Sequence, residues 1–252
     1  MHLKEAVGLR EGEMVSLIGA GGKTTMLFRL AKELRDDGRK VLVTTTTKIF
    51  KPTKPHVDRL FLVQEPDALL LATSEIPRPA IIGAGYNVDD EGKLIGIPAA
   101  WLDAFGKSKQ FDGILVEADG AASRLFKVPS EMEPVIPESC DLTVWIMAIK
   151  VLGKPMHPNW IHRVERAIYL VGGSAETPLT KDHIVKLVNN PAGCLKGVPP
   201  HSRKIALLNQ ADSLEEIEQA RELGKVLLQS GFERILITSF ESNETVKEII
   251  NK

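Results

Sequence analysis

Short apolar runs punctuate the chain, and each ends in small or polar residues. Val15, Leu17 and Ile18 lead into Gly19-Ala-Gly-Gly22, Lys40-Val-Leu-Val-Thr44 into Thr45, Thr46 and Thr47, and Gly113-Ile-Leu-Val116 into Glu117-Ala-Asp-Gly120. Asp141-Leu-Thr-Val-Trp-Ile-Met-Ala148, Lys204-Ile-Ala-Leu-Leu208 and Arg234-Ile-Leu-Ile-Thr238 have the same character. Short runs without polar alternation predict strands buried on both faces, as in a parallel sheet. Between them lie segments with apolar residues three and four apart: Leu27, Leu30, Ala31 and Leu34 before Gly38, and Ile217, Ala220 and Leu223 after Ser213-Leu-Glu-Glu216. These predict helices, the second opened by a capping box. Thr180 caps a further short helix, and a closing helix is predicted from Glu244 to Ile250.

The pattern is weaker in the middle of the chain. Residues 59–63 and 80–83 predict short strands around a helix near 67–73, with a turn or small hairpin after Gly83. Asp89, Asp90 and Glu91 read as a solvated turn, and Lys51-Pro-Thr-Lys-Pro55 as an extended loop. Alternating strands and helices predict an α/β fold: one domain over residues 1–252, built as a three-layer α-β-α sandwich around a mostly parallel central sheet. A ligand site in such a fold belongs at the C-terminal edge of the strands.

Composition narrows the picture without changing it. With 252 residues, 43% of them hydrophobic and 26% charged, the chain is long enough for a sizeable core. A net charge of −1 gives no global basic field for nucleic acid or membrane. No apolar stretch has the length of a membrane span, and Met-His-Leu-Lys-Glu-Ala-Val at the start lacks the apolar core of a signal peptide. Cys140 and Cys194 are too few and too far apart for a zinc knuckle or disulfide framework and read as buried thiols. The expectation is a soluble, cytoplasmic protein with no nucleic-acid or membrane partner.

The candidate chemistry starts at Gly19-Ala-Gly-Gly-Lys-Thr-Thr25, where a strand, a glycine turn, Lys-Thr and a helix follow one another. That succession gives a phosphate-binding loop its meaning. Glycines let Gly19, Ala20, Gly21 and Gly22 turn tightly with their N–H groups toward phosphate, and the helix adds the positive end of its dipole. Lys23 would reach the β- and γ-phosphates, the Thr24 hydroxyl would ligate Mg²⁺, and Thr25 is counted with the same nucleotide-binding loop. The G-x-x-x-x-G-K-[ST] pattern wants glycine where this chain has Leu17. The spacing resembles the shortened loops of the P-loop NTPase class that contains signal-recognition GTPases, MinD-like ATPases and metal-insertion GTPases. The signature lysine of the MinD-type loop would fall at Ile18, which disfavours that subgroup.

A second element follows at Glu117-Ala-Asp-Gly120. An acid at the end of a buried strand with glycine three residues on resembles the D-x-x-G element, with Glu for Asp as in urease and hydrogenase nickel-insertion GTPases. The resemblance implies that Glu117 holds Mg²⁺ through water, that the Gly120 N–H faces the γ-phosphate, and that Asp119 orients the attacking water or completes the metal shell. Thr46, just past the strand at 40–44, is a further candidate metal hydroxyl, although β-propensity alone also favours threonine runs. Arg124 and Lys127 stand where a cation can stabilise the transferred phosphoryl group, or simply form a charged loop. His162 and Glu165 are predicted on one helical face, as a metal pair or a structural hydrogen bond.

The base-reading candidate is Asn209-Gln-Ala-Asp212, at the end of the strand at 204–208. It resembles the N-K-x-D guanine-recognition element, with Gln210 in the lysine slot. A carboxylate at Asp212 can accept from both N1–H and the exocyclic amine of guanine, an edge adenine lacks. Asn209 would tie this loop to the phosphate loop or reach the base. Asn and Asp are also common in strand-to-helix turns, so a plain helix cap stays open.

In the same order along nearly the whole chain, Gly19-Ala-Gly-Gly-Lys-Thr-Thr, Val43-Thr-Thr-Thr-Thr-Lys, Val116-Glu-Ala-Asp-Gly-Ala, Ile161-His-Arg-Val-Glu and Leu208-Asn-Gln-Ala-Asp resemble the YqeC family. Its members are described as accessory proteins for selenium-dependent molybdenum hydroxylases. The resemblance implies Mg²⁺-dependent binding and hydrolysis of a nucleoside triphosphate, GTP before ATP. It further implies a role in maturing a selenium-containing molybdenum cofactor, with hydroxylase or selenium-cofactor maturation proteins as partners and homodimerisation as in related NTPases. Two other readings stay open: a small-molecule kinase or ligase acting on a cofactor precursor, and a nucleotide-binding scaffold without turnover.

Overall fold

The computed structural model describes residues 1–252. The chain opens with one helical turn, α1 (Leu3–Ala6), followed by β1 (Met14–Gly19), α2 (Lys23–Asp36) and β2 (Lys40–Thr45). Next come β3 (Lys48–Phe50), β4 (Arg59–Leu62), α3 (Pro66–Ser74), β5 (Ala80–Gly85), β6 (Asn87–Val88) and β7 (Lys93–Ile95). α4 (Ala99–Ser108), β8 (Gly113–Glu117), β9 (Phe126–Lys127), β10 (Leu142–Ala148) and β11 (Ile161–His162) continue it. α5 (Val164–Val171), α6 (Lys181–Asn189), β12 (Arg203–Asn209), α7 (Leu214–Leu227), β13 (Arg234–Thr238) and β14 (Val246–Asn251) complete the order.

Nine strands make one sheet in the order β14-β13-β12-β10-β1-β8-β2-β5-β4. Every pairing in it is parallel except β13 with β14. Every residue of β1, β2, β5, β8 and β10 is buried, which is why these segments are continuous apolar runs. The pleat sends Val15 and Leu17 to one face and Met14 and Ile18 to the other. One face packs under α1 and α2 through Leu3, Met26, Leu27 and Leu30, and the other under the later helices through Leu69, Leu102, Ala167, Ile184 and Leu223. The protein is therefore α/β, with a large, mostly parallel sheet flanked by helices on both faces, the layering of a three-layer sandwich.

Two small sheets sit outside this frame. β3, β7 and β6 form an antiparallel flap that starts where β2 ends. β9 and β11 form a parallel pair that brings His162 beside Lys127. Two expectations from the sequence are corrected here. The predicted closing helix is strand β14, because the free edge of β13 offers backbone partners and the β-branched Val246, Ile249 and Ile250 fit a pleated surface. His162 and Glu165 do not share a helical face, since His162 ends β11 and α5 starts only after the left-handed Arg163. α4, which the weak middle pattern did not announce, packs Leu102 and Phe105 onto the sheet.

Candidate functional site

β1 stops at Gly19 and α2 starts at Lys23, so the chain turns in very little space. Gly19 and Gly21 have φ of 94° and 82°, in the left-handed region. A Cβ at Gly19 would stand 2.2 Å from the Ile146 carbonyl oxygen, and one at Gly21 2.6 Å from the Ala148 nitrogen. Only glycine lets the loop lie this close to β10. No side chain caps α2, and the N–H groups of its first turn have no helical partner.

Lys23 is buried at 4% exposure and curls back into its own loop. Its Nζ donates to the Gly19 carbonyl at 2.6 Å and lies 3.0 Å from Asp119 Oδ1 and 3.7 Å from Glu117 Oε1. The Thr24 hydroxyl donates to Glu117 Oε2 at 2.8 Å. Burial pushes the Glu117 carboxyl above the usual range, against the opposing pull of Lys23 and the Thr24 hydrogen bond.

Asp119 sits beneath the loop rather than on the cleft wall. Its Oδ2 accepts the Gly19 N–H at 3.0 Å and lies 3.4 Å from Lys127 Nζ, and the residue is 2% exposed. Lys127 continues a chain of charges outward: its ammonium donates to the Gly120 carbonyl and, at 2.7 Å, to Glu133 Oε2, which also accepts from Arg163. Burial pulls the Lys127 ammonium down, with Asp119 and Glu133 opposing. For Glu133, burial pulls upward, but Lys127 and Arg163 together outweigh it and hold the carboxyl below its ordinary value. His162 next to this chain is also lowered, by burial first and then by Arg163 and Lys127. The Thr46 hydroxyl donates to the Val135 carbonyl at 2.7 Å, a backbone contact rather than a place on the cleft wall.

The sheet brings the Asn209 loop to the other side of the glycine loop, because β12 and β1 both flank β10. Asn209 Nδ2 donates to the Gly21 carbonyl at 2.7 Å, and its Oδ1 accepts from Thr238 at 3.0 Å. Asp212 accepts from Ser239 and pairs with Lys150, which together hold its carboxyl low, Lys150 foremost. The same stretch is also a helix start: Ser213 and Glu216 form the predicted capping box of α7.

A cleft of about 890 Å³ joins these parts. Gly21, Gly22, Lys23, Thr24, Thr25, Glu117, Gly120, Arg124, Asn209 and Asp212 all line it, whereas Gly19, Ala20, Asp119 and Thr46 do not. Glu133, Phe50 and Lys93, which no motif marked, line it too, as do Lys48 and His162 from the stretches at 43–48 and 161–165 and Phe240 beside Gly22. No short motif marks Glu133, Lys150 or the flap, since they arrive from elements distant in sequence. Cys140 and Cys194 are both buried, and burial pushes the Cys194 thiol up, which leaves it unreactive. No helix is long and apolar enough to cross a membrane.

This chain belongs to the YqeC family: the sequence model of that family, described as YqeC protein, matches residues 15–165. The matched stretch contains the glycine loop, Glu117, Asp119, Arg124 and His162 and stops before the Asn209 loop. A relative from Escherichia coli (strain K12), named uncharacterized protein YqeC, is 31% identical over 233 residues, which cover 92% of this chain and 90% of that protein.

Proposed function

We propose that the cleft binds a nucleoside triphosphate with Mg²⁺, GTP in preference to ATP, and hydrolyses its terminal phosphate. The observation that carries this reading is the 2.8 Å contact between the Thr24 hydroxyl and the Glu117 carboxylate, beside a glycine loop whose lysine is already drawn inward. A hydroxyl and a carboxylate held together at the start of a helix are what a nucleotide-bound Mg²⁺ takes from a P-loop protein. No group of three or more His, Cys, Asp and Glu converges in the chain, so the other ligands of such an ion come from phosphate oxygens and water.

In this reading the α2 N-terminus and the glycine loop receive the phosphates, and Lys23 leaves Asp119 and the Gly19 carbonyl to reach them. Asp119 keeps the Gly19 N–H and Lys127, so the loop stays anchored as the lysine moves. Arg124, on the cleft wall without an intramolecular ion pair, supplies positive charge where negative charge builds up on the transferred phosphoryl group. Asn209 fastens the base loop to the phosphate loop and Asp212 reads the guanine edge. Turnover would then drive a handover step in maturing a selenium-containing molybdenum cofactor, as the family resemblance implies.

Calorimetric titration with GTP and with ATP, each with Mg²⁺, tests the reading. A carboxylate accepting two guanine N–H bonds predicts that Asp212→Ala weakens GTP by about tenfold or more and leaves ATP alone. Preference for ATP, indifferent to Asp212, would reduce Asn209-Gln-Ala-Asp212 to a helix cap. Binding of neither nucleotide would end the proposal, and binding without phosphate release would leave a scaffold.

A further inference from the structure

The cleft does not end at the phosphate position. Thr24 and Glu117 mark the metal site at the ends of β1 and β8, yet the cleft continues past β8 to β2 and the flap that follows it. From β1 to β2 is two strand spacings, on the order of 10 Å. Lys48, Phe50 and Lys93 from the flap line it together with Arg124 and His162.

The polar groups of the arm are not used up within the chain. Arg124 and His162 both face the cleft, and neither side chain makes a hydrogen bond or ion pair. Lys48 and Lys93 pair with Asp89 and Glu91, and Lys93 and Glu91 are more than a third exposed, so solvent weakens that attachment. Glu133, which lines the same cleft, is already engaged by Lys127 and Arg163. The arm therefore presents uncommitted N–H donors and net positive charge. Phe50 stands beside them at 74% exposure, an apolar surface with nothing over it.

We propose that this arm binds a second ligand, a small organic phosphate whose oxyanion is held by His162 and Lys93, on the far side of Arg124 from the nucleotide, and whose carbon skeleton lies on Phe50. The inference rests on the nucleotide reading above: the second molecule would lie beside the terminal phosphate of the first. The protein would then hold two phosphorylated molecules side by side in one cleft.

The test uses the full chain saturated with Mg²⁺ and a GTP analogue whose β–γ bridge cannot be cleaved. Inorganic phosphate and glycerol 3-phosphate are titrated into that complex by calorimetry. Both are expected to bind, the ester more tightly, and equal affinity would remove Phe50 from the site. His162→Ala and Lys93→Glu, each measured on its own nucleotide complex, are expected to weaken phosphate by at least about tenfold, the scale of a charge-assisted hydrogen bond. The Lys93 side chain is 37% exposed, so its replacement disturbs no core packing and keeps the test alive should the His162 variant not fold. Phosphate that binds only without nucleotide is at the glycine loop, and that result overturns the inference while leaving the nucleotide reading intact. Phosphate binding unchanged in both variants, or absent from the nucleotide complex, also overturns it. Failure of the analogue itself to bind is a different result and removes the nucleotide reading first.

Discussion

Replacing Lys127 with methionine removes an ammonium whose side chain is 0% exposed and which lies 2.7 Å from Glu133 and 3.4 Å from Asp119. Methionine fills similar space, so the loss is electrostatic rather than a cavity. Taking one partner from a buried ion pair costs about 3–5 kcal/mol, because the remaining charge is left without compensation. Here neither carboxylate is abandoned. Asp119 keeps the Gly19 N–H and Lys23, and Glu133 keeps Arg163. The expected loss is therefore below that range, about 2–3 kcal/mol. At roughly 2–4 °C per kcal/mol for a chain of this size, Lys127→Met should lower the melting temperature by about 4–12 °C. Calorimetric melts at neutral pH without nucleotide measure it directly. Asp119→Asn and the double variant complete a cycle, with a coupling of about 0.5–3 kcal/mol expected for groups in one network. Additivity within about 0.5 kcal/mol, or an unchanged melting temperature for Lys127→Met, would refute the view that this charge chain anchors the loop.

Two other substitutions probe the metal and base ends. Glu117 has its carboxyl raised by burial, so its ionisation in the folded protein costs stability as pH climbs from the ordinary 4.5 through the raised value. Glu117→Gln should then raise the melting temperature of the nucleotide-free protein at neutral pH, the gain fading as pH falls toward 4.5, while Mg²⁺-dependent GTP binding is lost; a variant that still binds GTP only when Mg²⁺ is added removes Glu117 from the metal site. Lys150→Ala breaks a pair whose members are 40% and 31% exposed, so stability should change by under about 1 kcal/mol. The GTP-to-ATP affinity ratio should fall as Asp212 loses the group that holds it, and an unchanged ratio in paired titrations would leave Lys150 without a part in base selection.

Much of the scaffold was legible because its causes are local. Buried parallel strands must be apolar on both faces, so β1, β2, β8, β10, β12 and β13 could be read from their runs alone. The capping box at Ser213 and the threonine cap at Thr180 were equally plain, since a cap joins residues three apart. Val246, Ile249 and Ile250 misled for the opposite reason. Their spacing fits a helix, and what makes them a strand is the open edge of β13, which no local window contains. α4 opens at Pro98 without a side-chain cap and so gave no start signal.

The candidate site divides along the same line. The order of residues by itself determined the glycine turn, the lysine and threonine after it, and the acid at the end of β8, because each depends on neighbours a few positions away. That Thr24 meets Glu117, that Asp119 turns under the loop to hold Gly19 and two ammoniums, and that Asn209 reaches Gly21 were decided by the sheet order. So were the parts no motif announced: Lys150 on Asp212, Glu133 between Lys127 and Arg163, and the flap beyond the metal position. Charge compensation and burial are properties of what surrounds a side chain in space. A linear sequence supplies the groups, and only the packed sheet decides which of them face one another.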